Sequence, residues 1–225
     1  MHKELKLSQD KINYINYVED ELAKGKYEKM LSYFGDLDGK TILDVGCGPG
    51  ILIDVLLKQS PKLIVALDID TEWLNYTNKK YGNNKNVIVI RANAEHLPFK
   101  YAYFDLISCK VVLPYVPDET MAINGMCACL ARGGVIFLGL HCMWYYIYLI
   151  FRRKDMSKLY ATLSLLSGVI HQIIGKKMIV SPDTYQTPSK LKKALEKQDM
   201  RIIKIYKFDR WFWGYNLFDV VAKKR

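Results

Sequence analysis

Residues 41–50 read TILDVGCGPG. Apolar and β-branched residues around a single aspartate describe a short buried strand, and three glycines in the next five positions describe a turn with almost no side chain. Such a turn either only redirects the chain or leaves backbone open to a ligand, and its surroundings decide between the two. Downstream, the short apolar runs LIVALD, NVIVIRA, FDLIS and GVIFLGL are separated by helical stretches, two of them at 51–59 and 71–81. These are consecutive βαβ units, and they predict an α/β fold with a parallel sheet covered by helices on both faces. Ligands of such sheets bind at the carboxyl ends of the strands.

Asp68 closes the second strand, 22 residues after Gly46. A carboxylate there can accept both hydroxyls of a ribose, so turn and acid together read as a nucleoside-binding pair. Asp68 could also simply cap a helix together with Asp70 and Thr71. A dinucleotide fingerprint would be G-x-G-x-x-G, with helix N–H groups on a pyrophosphate. Here the spacing is G-x-G-x-G, and Pro49 has no N–H to give. Asp44, two residues before the first glycine, would repel phosphate and suits an ammonium group.

With these motifs the chain resembles the class I S-adenosylmethionine-dependent methyltransferases, in particular the small-molecule, type 11-like group that carries ILD-x-GCG-x-G. Further motifs follow in order: LDID at 67–70, NAEHLPFKYAYFD at 93–105 and ARGGVIFLG before and in the fifth strand. The resemblance covers residues 38–141 and, with weaker motifs, the end of the chain. It implies a Rossmann-like seven-stranded sheet of order 3-2-1-4-5-7-6, the seventh strand antiparallel. It also implies S-adenosylmethionine as cofactor and S-adenosylhomocysteine as product. Asp44, Gly46, Cys47 and Gly48 would line the methionine end, Asp68 the ribose, Ile69 one adenine face, and Asn93 with Ala94 its edge. Ser108 and Cys109 would lie under the sulfonium, and Tyr27, in an N-terminal helix, is either cofactor lid or core. The family usually has aspartate at the position of Asn93; an asparagine carbonyl can still accept from an adenine amino group, without the charge.

Methyl transfer from a sulfonium chiefly needs acceptor and methyl carbon aligned and water excluded, so a dedicated catalytic residue is not required. If the acceptor is a hydroxyl, a base helps, and His141 at the end of the fifth strand is the candidate. A histidine hydrogen-bonded at a helix start would look the same. SCKVVLPY after the fourth strand has neither a Pro-Cys pair nor a D/N-P-P-aromatic loop, which weighs against methylation of nucleic-acid bases. The five cysteines lack C-x-x-C spacing, so reduced buried thiols are expected and no metal site.

The organisation expected is one methyltransferase domain over 1–225. It has N-terminal helices in 1–37, the cofactor-binding core in 38–140, a helical cap insertion in 141–186, and a final helix with a strand hairpin in 187–225. In the first part Tyr14, Tyr17, Leu22, Tyr27, Met30 and Leu31 supply an apolar face. Charges interrupt the start of the chain throughout, so no secretory leader is expected and the location expected is cytoplasmic. Net charge is +10, but residues 1–140 hold 16 basic against 17 acidic side chains, whereas 141–225 hold 17 against 6. That asymmetry points the last third at something anionic.

The stretch 135–151 is the most hydrophobic, yet shorter than the roughly 20 residues of a membrane span. Leu159, Leu163, Leu166, Ile170 and Ile173 then repeat at helical spacing, as core of a two-helix cap or as a face resting on lipid. The hairpin would bring Trp211 and Trp213 to the ligand edge, where they, Trp144 and Tyr115 are candidate acceptor contacts. The expectation is methyl transfer to an O or N atom of a small, hydrophobic or lipid-like acceptor, with possible peripheral contact to anionic membrane. The alternatives are an RNA methyltransferase using the basic last third, and a membrane or regulatory module that binds the cofactor without turnover.

Overall fold

A computed structural model describes residues 7–141, 188–211 and 214–225. Two helices, α1 (Gln9–Ala23) and α2 (Lys26–Leu31), precede the sheet. Then follow β1 (Thr41–Val45), α3 (Ile51–Leu57), β2 (Leu63–Asp68), α4 (Thr71–Tyr81), β3 (Val87–Arg91) and β4 (Phe104–Lys110). A 3-10 turn, Leu113–Tyr115, leads to α5 (Glu119–Cys129) and β5 (Leu130–His141). The chain ends with α6 (Pro188–Glu196), β6 (Met200–Trp211) and β7 (Gly214–Lys224). The cap expected over 142–186, with its amphipathic stripe and Trp144, lies outside the described residues, as does Trp213.

The sheet order is β3-β2-β1-β4-β5-β7-β6, with β7 antiparallel to both neighbours. Strands β1 and β2 are buried over almost their whole length, as expected where helices cover both faces. Alternation along each strand divides the apolar residues into two clusters. One packs Leu43, Ile107 and Leu138 against α5 and α6; the other packs Ile42, Leu106 and Phe137 against α1, α2 and α3. β5 begins earlier than GVIFLGL suggests, because Leu130 already pairs with Phe104; the register then shifts so that Leu106 meets Val135. The hairpin is tighter than the six residues DRWFWG imply, since Trp211 is in register with Gly214.

One expectation about α1 is corrected. Tyr14 and Tyr17 are not part of an apolar face against the core: they are 47% and 55% exposed, while Ile15 and Val18 are buried. The helix is rotated from that reading because Ile15 and Val18 have no polar group to leave in water and gain most from burial.

The glycine turn is pressed between elements on both sides. A Cβ on Gly50, at φ +75°, would stand 2.6 Å from Tyr81 Cε2 and 3.1 Å from Thr77 Cγ2. Gly50→Ala should therefore cost about 1–3 kcal/mol of folding stability, a range typical of overpacking, read from urea unfolding followed by circular dichroism. Wild-type stability in this variant would mean that α4 moves aside freely.

Candidate functional site

At the carboxyl ends of β1 and β2 the turn is held by its own backbone groups. Gly46 and Cys47 donate to Leu67 O at 2.7 and 2.9 Å, and Thr77 Oγ1 donates to Gly48 O at 2.7 Å. Asp68 is buried and both of its oxygens are engaged: Oδ2 accepts from Gly48 N at 2.9 Å and Oδ1 from Asp70 N at 3.0 Å. It is Asp70, not Asp68, that caps α4, accepting from Glu72 N and Trp73 N. Each Asp68 oxygen keeps a second lone pair for a hydroxyl.

The three glycines differ in what surrounds them. At Gly46 a Cβ would fall 2.2 Å from Val112 Cγ2, so the loop after β4 already fills that place. At Gly48, also at positive φ, the one neighbour within reach among the described residues is Tyr14 Cε1 at 4.0 Å. Among the described residues Gly48 thus leaves its bare face open, while Gly46 and Gly50 give theirs to packing. Val112 is brought there by Val111, a β-branched residue held at φ 58° with its N–H on Gly139 O at 2.8 Å. That conformation costs on the order of 1–3 kcal/mol and is maintained at the ligand edge of the sheet.

Asp44 lies beneath the turn, 4% exposed, opposite Ser108 in the β1–β4 register. Burial pushes its carboxyl up to about 7; nearby Asp68 adds to the rise, and Ser108 and Lys110 oppose it. The opposition from Ser108 is loose: its Oγ is buried with no partner at proper hydrogen-bond geometry. Among the described residues no cation is bonded to this carboxylate and the hydroxyl beside it has no partner, a pairing that an ammonium group would complete.

Alternation separates the expected pair after the turn. Ser108 shares the face of Asp44, whereas Cys109 points into the opposite apolar cluster with Val45 and Leu138. Ile69 stands 60% exposed at the rim. Asn93 is turned into its own loop: Oδ1 accepts from Glu95 N and Nδ2 donates to Glu95 Oε2, both at 3.0 Å, and Ala94 is buried beside it. Cys47 is buried and its thiol is pushed far above the usual range, first by burial and then by Asp44 and Asp68, so it is no nucleophile. Tyr27 is buried in α2 beneath the ammonium of Lys110, 4.2 Å from its ring centre. His141 ends β5 in register with Leu217, and Trp211 ends β6; both backbones reach the ligand edge, and their side chains lie outside what is described.

Several residues around the site were not among the sequence candidates. Tyr14, carried by α1 over Gly48, makes ring contacts with Tyr17 and Trp73, at centroid distances of 6.5 and 5.9 Å. Its ring is half-exposed but its hydroxyl is enclosed, and burial, with Tyr115, Tyr17, Asp44 and Asp68 behind it, raises the phenol to about 12. Lys11 anchors α1 by salt bridges to Asp70 at 2.6 Å and Glu72 at 2.9 Å, with its ammonium 5.0 Å from the Trp73 ring centre. Lys110 and Asp219 flank Gly139 farther along the same rim. No spacing in the sequence ties these residues to β1; only the tertiary fold does.

Similarity to known proteins now has a site to bear on. Residues 43–138 match the methyltransferase domain family. The chain shares 32% identity over 108 residues with a ubiquinone biosynthesis O-methyltransferase of Haemophilus ducreyi, covering 45% of each chain. It shares 30% over 109 residues with a tRNA U34 carboxymethyltransferase of Campylobacter curvus, covering 46% of this chain and 35% of the relative. The chain thus matches less than half the length of either curated relative. An S-adenosylmethionine-dependent methyltransferase structure from Mesorhizobium loti superposes with TM-score 0.68 at 17% identity, over 89% of this chain and 98% of the other, which establishes the common fold.

The raised Asp44 carboxyl gives a pH signature. A folded-state pKa above the unfolded one means that the folded state holds its proton longer, so this contribution is intact below about 4 and is lost as pH rises through about 7. Relative to Asp44→Asn, the ligand-free wild type should lose stability across that window, as read from urea midpoints measured at several pH values. Parallel curves would mean that Asp44 is ionised and already paired.

Proposed function

We propose that the chain transfers a methyl group from S-adenosylmethionine to an O or N atom of a small, hydrophobic or lipid-like acceptor. The observation that carries this reading is the buried Asp44, bonded to no cation among the described residues, beneath the bare Gly48 and beside Asp68 at the same turn. In this proposal Asp44 holds the ammonium of the cofactor's methionine end and Ser108 lies beside it. Asp68 takes the ribose hydroxyls on its free lone pairs, Ile69 covers one adenine face, and the backbone at Asn93 and Ala94 meets the adenine edge. The side chain of Asn93 is committed to Glu95, so the adenine amino group would have to share its carbonyl. Bound cofactor supplies a methyl group made electrophilic by a sulfonium; the chain supplies alignment and exclusion of water.

Tyr14 and Tyr17 from α1 and Tyr115 from the loop after β4 give the opening an aromatic rim in which an apolar acceptor can lie. The Haemophilus relative is named for ubiquinone biosynthesis, and an acceptor of that lipid-like kind fits this rim. The second reading, methylation of RNA, draws on the basic last third and on the Campylobacter relative named for tRNA. His141 stays the candidate base for a hydroxyl acceptor, and Trp144, Trp211 and Trp213 stay candidate acceptor contacts.

Asp68→Ala should weaken S-adenosylhomocysteine binding by roughly 1.5–3 kcal/mol in isothermal calorimetry, because charge-assisted hydrogen bonds to the ribose disappear. Wild-type affinity in a variant with native circular dichroism, or tight NAD binding by the wild type, would count against the cofactor assignment.

The basic surplus of residues 141–225 gives the membrane side of the proposal its own test. Each basic side chain near an anionic bilayer contributes about 1 kcal/mol, screened over about 8–10 Å at moderate salt. Replacing Arg152, Arg153, Lys176 and Lys177 by glutamate should release the chain from phosphatidylserine vesicles in sedimentation and leave cofactor affinity unchanged. A wild type that ignores these vesicles at low salt but binds RNA would favour the second reading.

A further inference from the structure

β4, β5 and β7 lie side by side, and one row across them near the ligand edge carries charge. Lys110 of β4 is in register with Gly139 of β5, and Gly139 with Asp219 of β7. A Cβ on Gly139 would stand 2.9 Å from Asp219 Oδ1 and 3.1 Å from Lys110 Cγ, so the two side chains lean in from either side over the space the glycine leaves. Asp219 is 8% exposed and Lys110 half-buried. The next layer inward on this face sets Asp44 and Ser108 beside Phe137 and Val221, all buried, and below it Ile42 and Leu106 are apolar and buried. Among the described residues no carboxylate closes to salt-bridge distance on the Lys110 ammonium. Asp44, the floor of the turn, is on the same face and near enough to be felt by it.

The groups facing Lys110 come from every element around it. Burial is the largest influence and pulls its pKa below the usual lysine value. Asp219 of β7, Glu21 of α1 and Asp44 of β1 favour its charge, and Lys26 of α2 opposes it. Tyr27 stacks its ring against the ammonium. Burial likewise pushes the Asp219 carboxyl up to about 7, with Lys110 pulling it back. A cation held half-buried, positioned on two sides and bonded to no carboxylate, is prepared to receive an anion from the open side.

We propose that Lys110 holds the acceptor oxygen as its anion, and that the acceptor is therefore a hydroxyl acidic enough to ionise there, a phenol or an enol. Asp219 and Tyr27 are positioning residues that keep the ammonium at the rim. The O–H bond breaks, its proton passes to water at the half-open rim, and the electron pair stays on oxygen opposite the ammonium as the nucleophile for methylation. A unit cation at close range lowers the pKa of such a group by about 1–3 units, which suffices for a phenol and not for a simple alcohol. This inference deepens the methyltransferase reading and rests on it.

The probe is 4-nitrophenol, whose anion absorbs visibly, titrated by absorbance in the presence of the full chain and S-adenosylhomocysteine. The bound probe should ionise about one unit lower than the free one. Lys110→Met should abolish that shift, and Lys110→Arg, which keeps the cation, should retain it. Calorimetry with S-adenosylhomocysteine checks that both variants still fold and bind the product. If the wild type binds S-adenosylhomocysteine but millimolar 4-nitrophenol titrates as in water, the proposal is overturned. It is overturned equally if Lys110→Met keeps the shift, or if folded Lys110→Arg loses it. A wild type that fails to bind S-adenosylhomocysteine would instead bring down the methyltransferase reading itself.

Discussion

The rest of the site depends on how closely the backbone of residues 46–50 can approach its neighbours. Val112 fills the space beside Gly46, Tyr81 the space beside Gly50, and hydroxyls from Thr77 and Tyr81 close on the carbonyls of Gly48 and Gly50 at 2.7 and 2.9 Å. Any side chain at the outer two positions would push the loop after β4 or helix α4 away from β1. With those positions packed, Gly48 is left, among the described residues, with only Tyr14 near its bare face and its N–H fixed by Asp68. An aspartate at the end of a neighbouring strand thus holds the turn in shape and borders the space above it, so a ligand there meets a surface that needs little rearrangement.

Polarity on that face of the sheet is layered. Lys110 and Asp219 stand at the rim, Asp44 and Ser108 follow one row inward beside Phe137 and Val221, and the next row holds buried Ile42 and Leu106. Burying these groups without complete pairing costs the ligand-free fold free energy, visible in two carboxyls that resist ionisation up to about 7. Such a cost is characteristic of a site that becomes complete only when something charged arrives. Helices α1 and α2 set tyrosines over this face: the Tyr27 ring lies against the Lys110 ammonium and the Tyr14 ring over Gly48.

The fold and the outline of the turn were legible in the sequence because both are local. TILDVGCGPG, the acid at 68 and the alternation of strand and helix each lie within a few residues of one another. What was not legible depends on registers and rotations. Ser108 and Cys109 look equivalent as neighbours, yet a strand sends them to opposite faces, and only the pairing of Ser108 with Asp44 shows which one shares the face of the buried acid. Tyr14 and Tyr17 read as an apolar face because helical spacing alone does not say which side of α1 meets the sheet. Lys110 and Asp219 are 109 positions apart, joined by a glycine on a third strand, and no linear pattern marks them. The same holds for Asn93, whose side chain is taken by Glu95 two residues on, a local turn that competes with any ligand.

Lys11 ties α1, and with it the aromatic rim, to the first turn of α4 through Asp70 and Glu72. Asp70 is also the cap of that helix, and its own N–H rests on Asp68, so one short chain of contacts runs from the covering helix to the acid beside the glycine turn. Both carboxylates are open enough to water for dissolved ions to compete for the lysine. The cover over the site is consequently sensitive to the medium. In dilute buffer α1 is drawn down onto α4; as ionic strength rises the attraction is screened, and traffic of solutes past Tyr14 becomes faster in both directions.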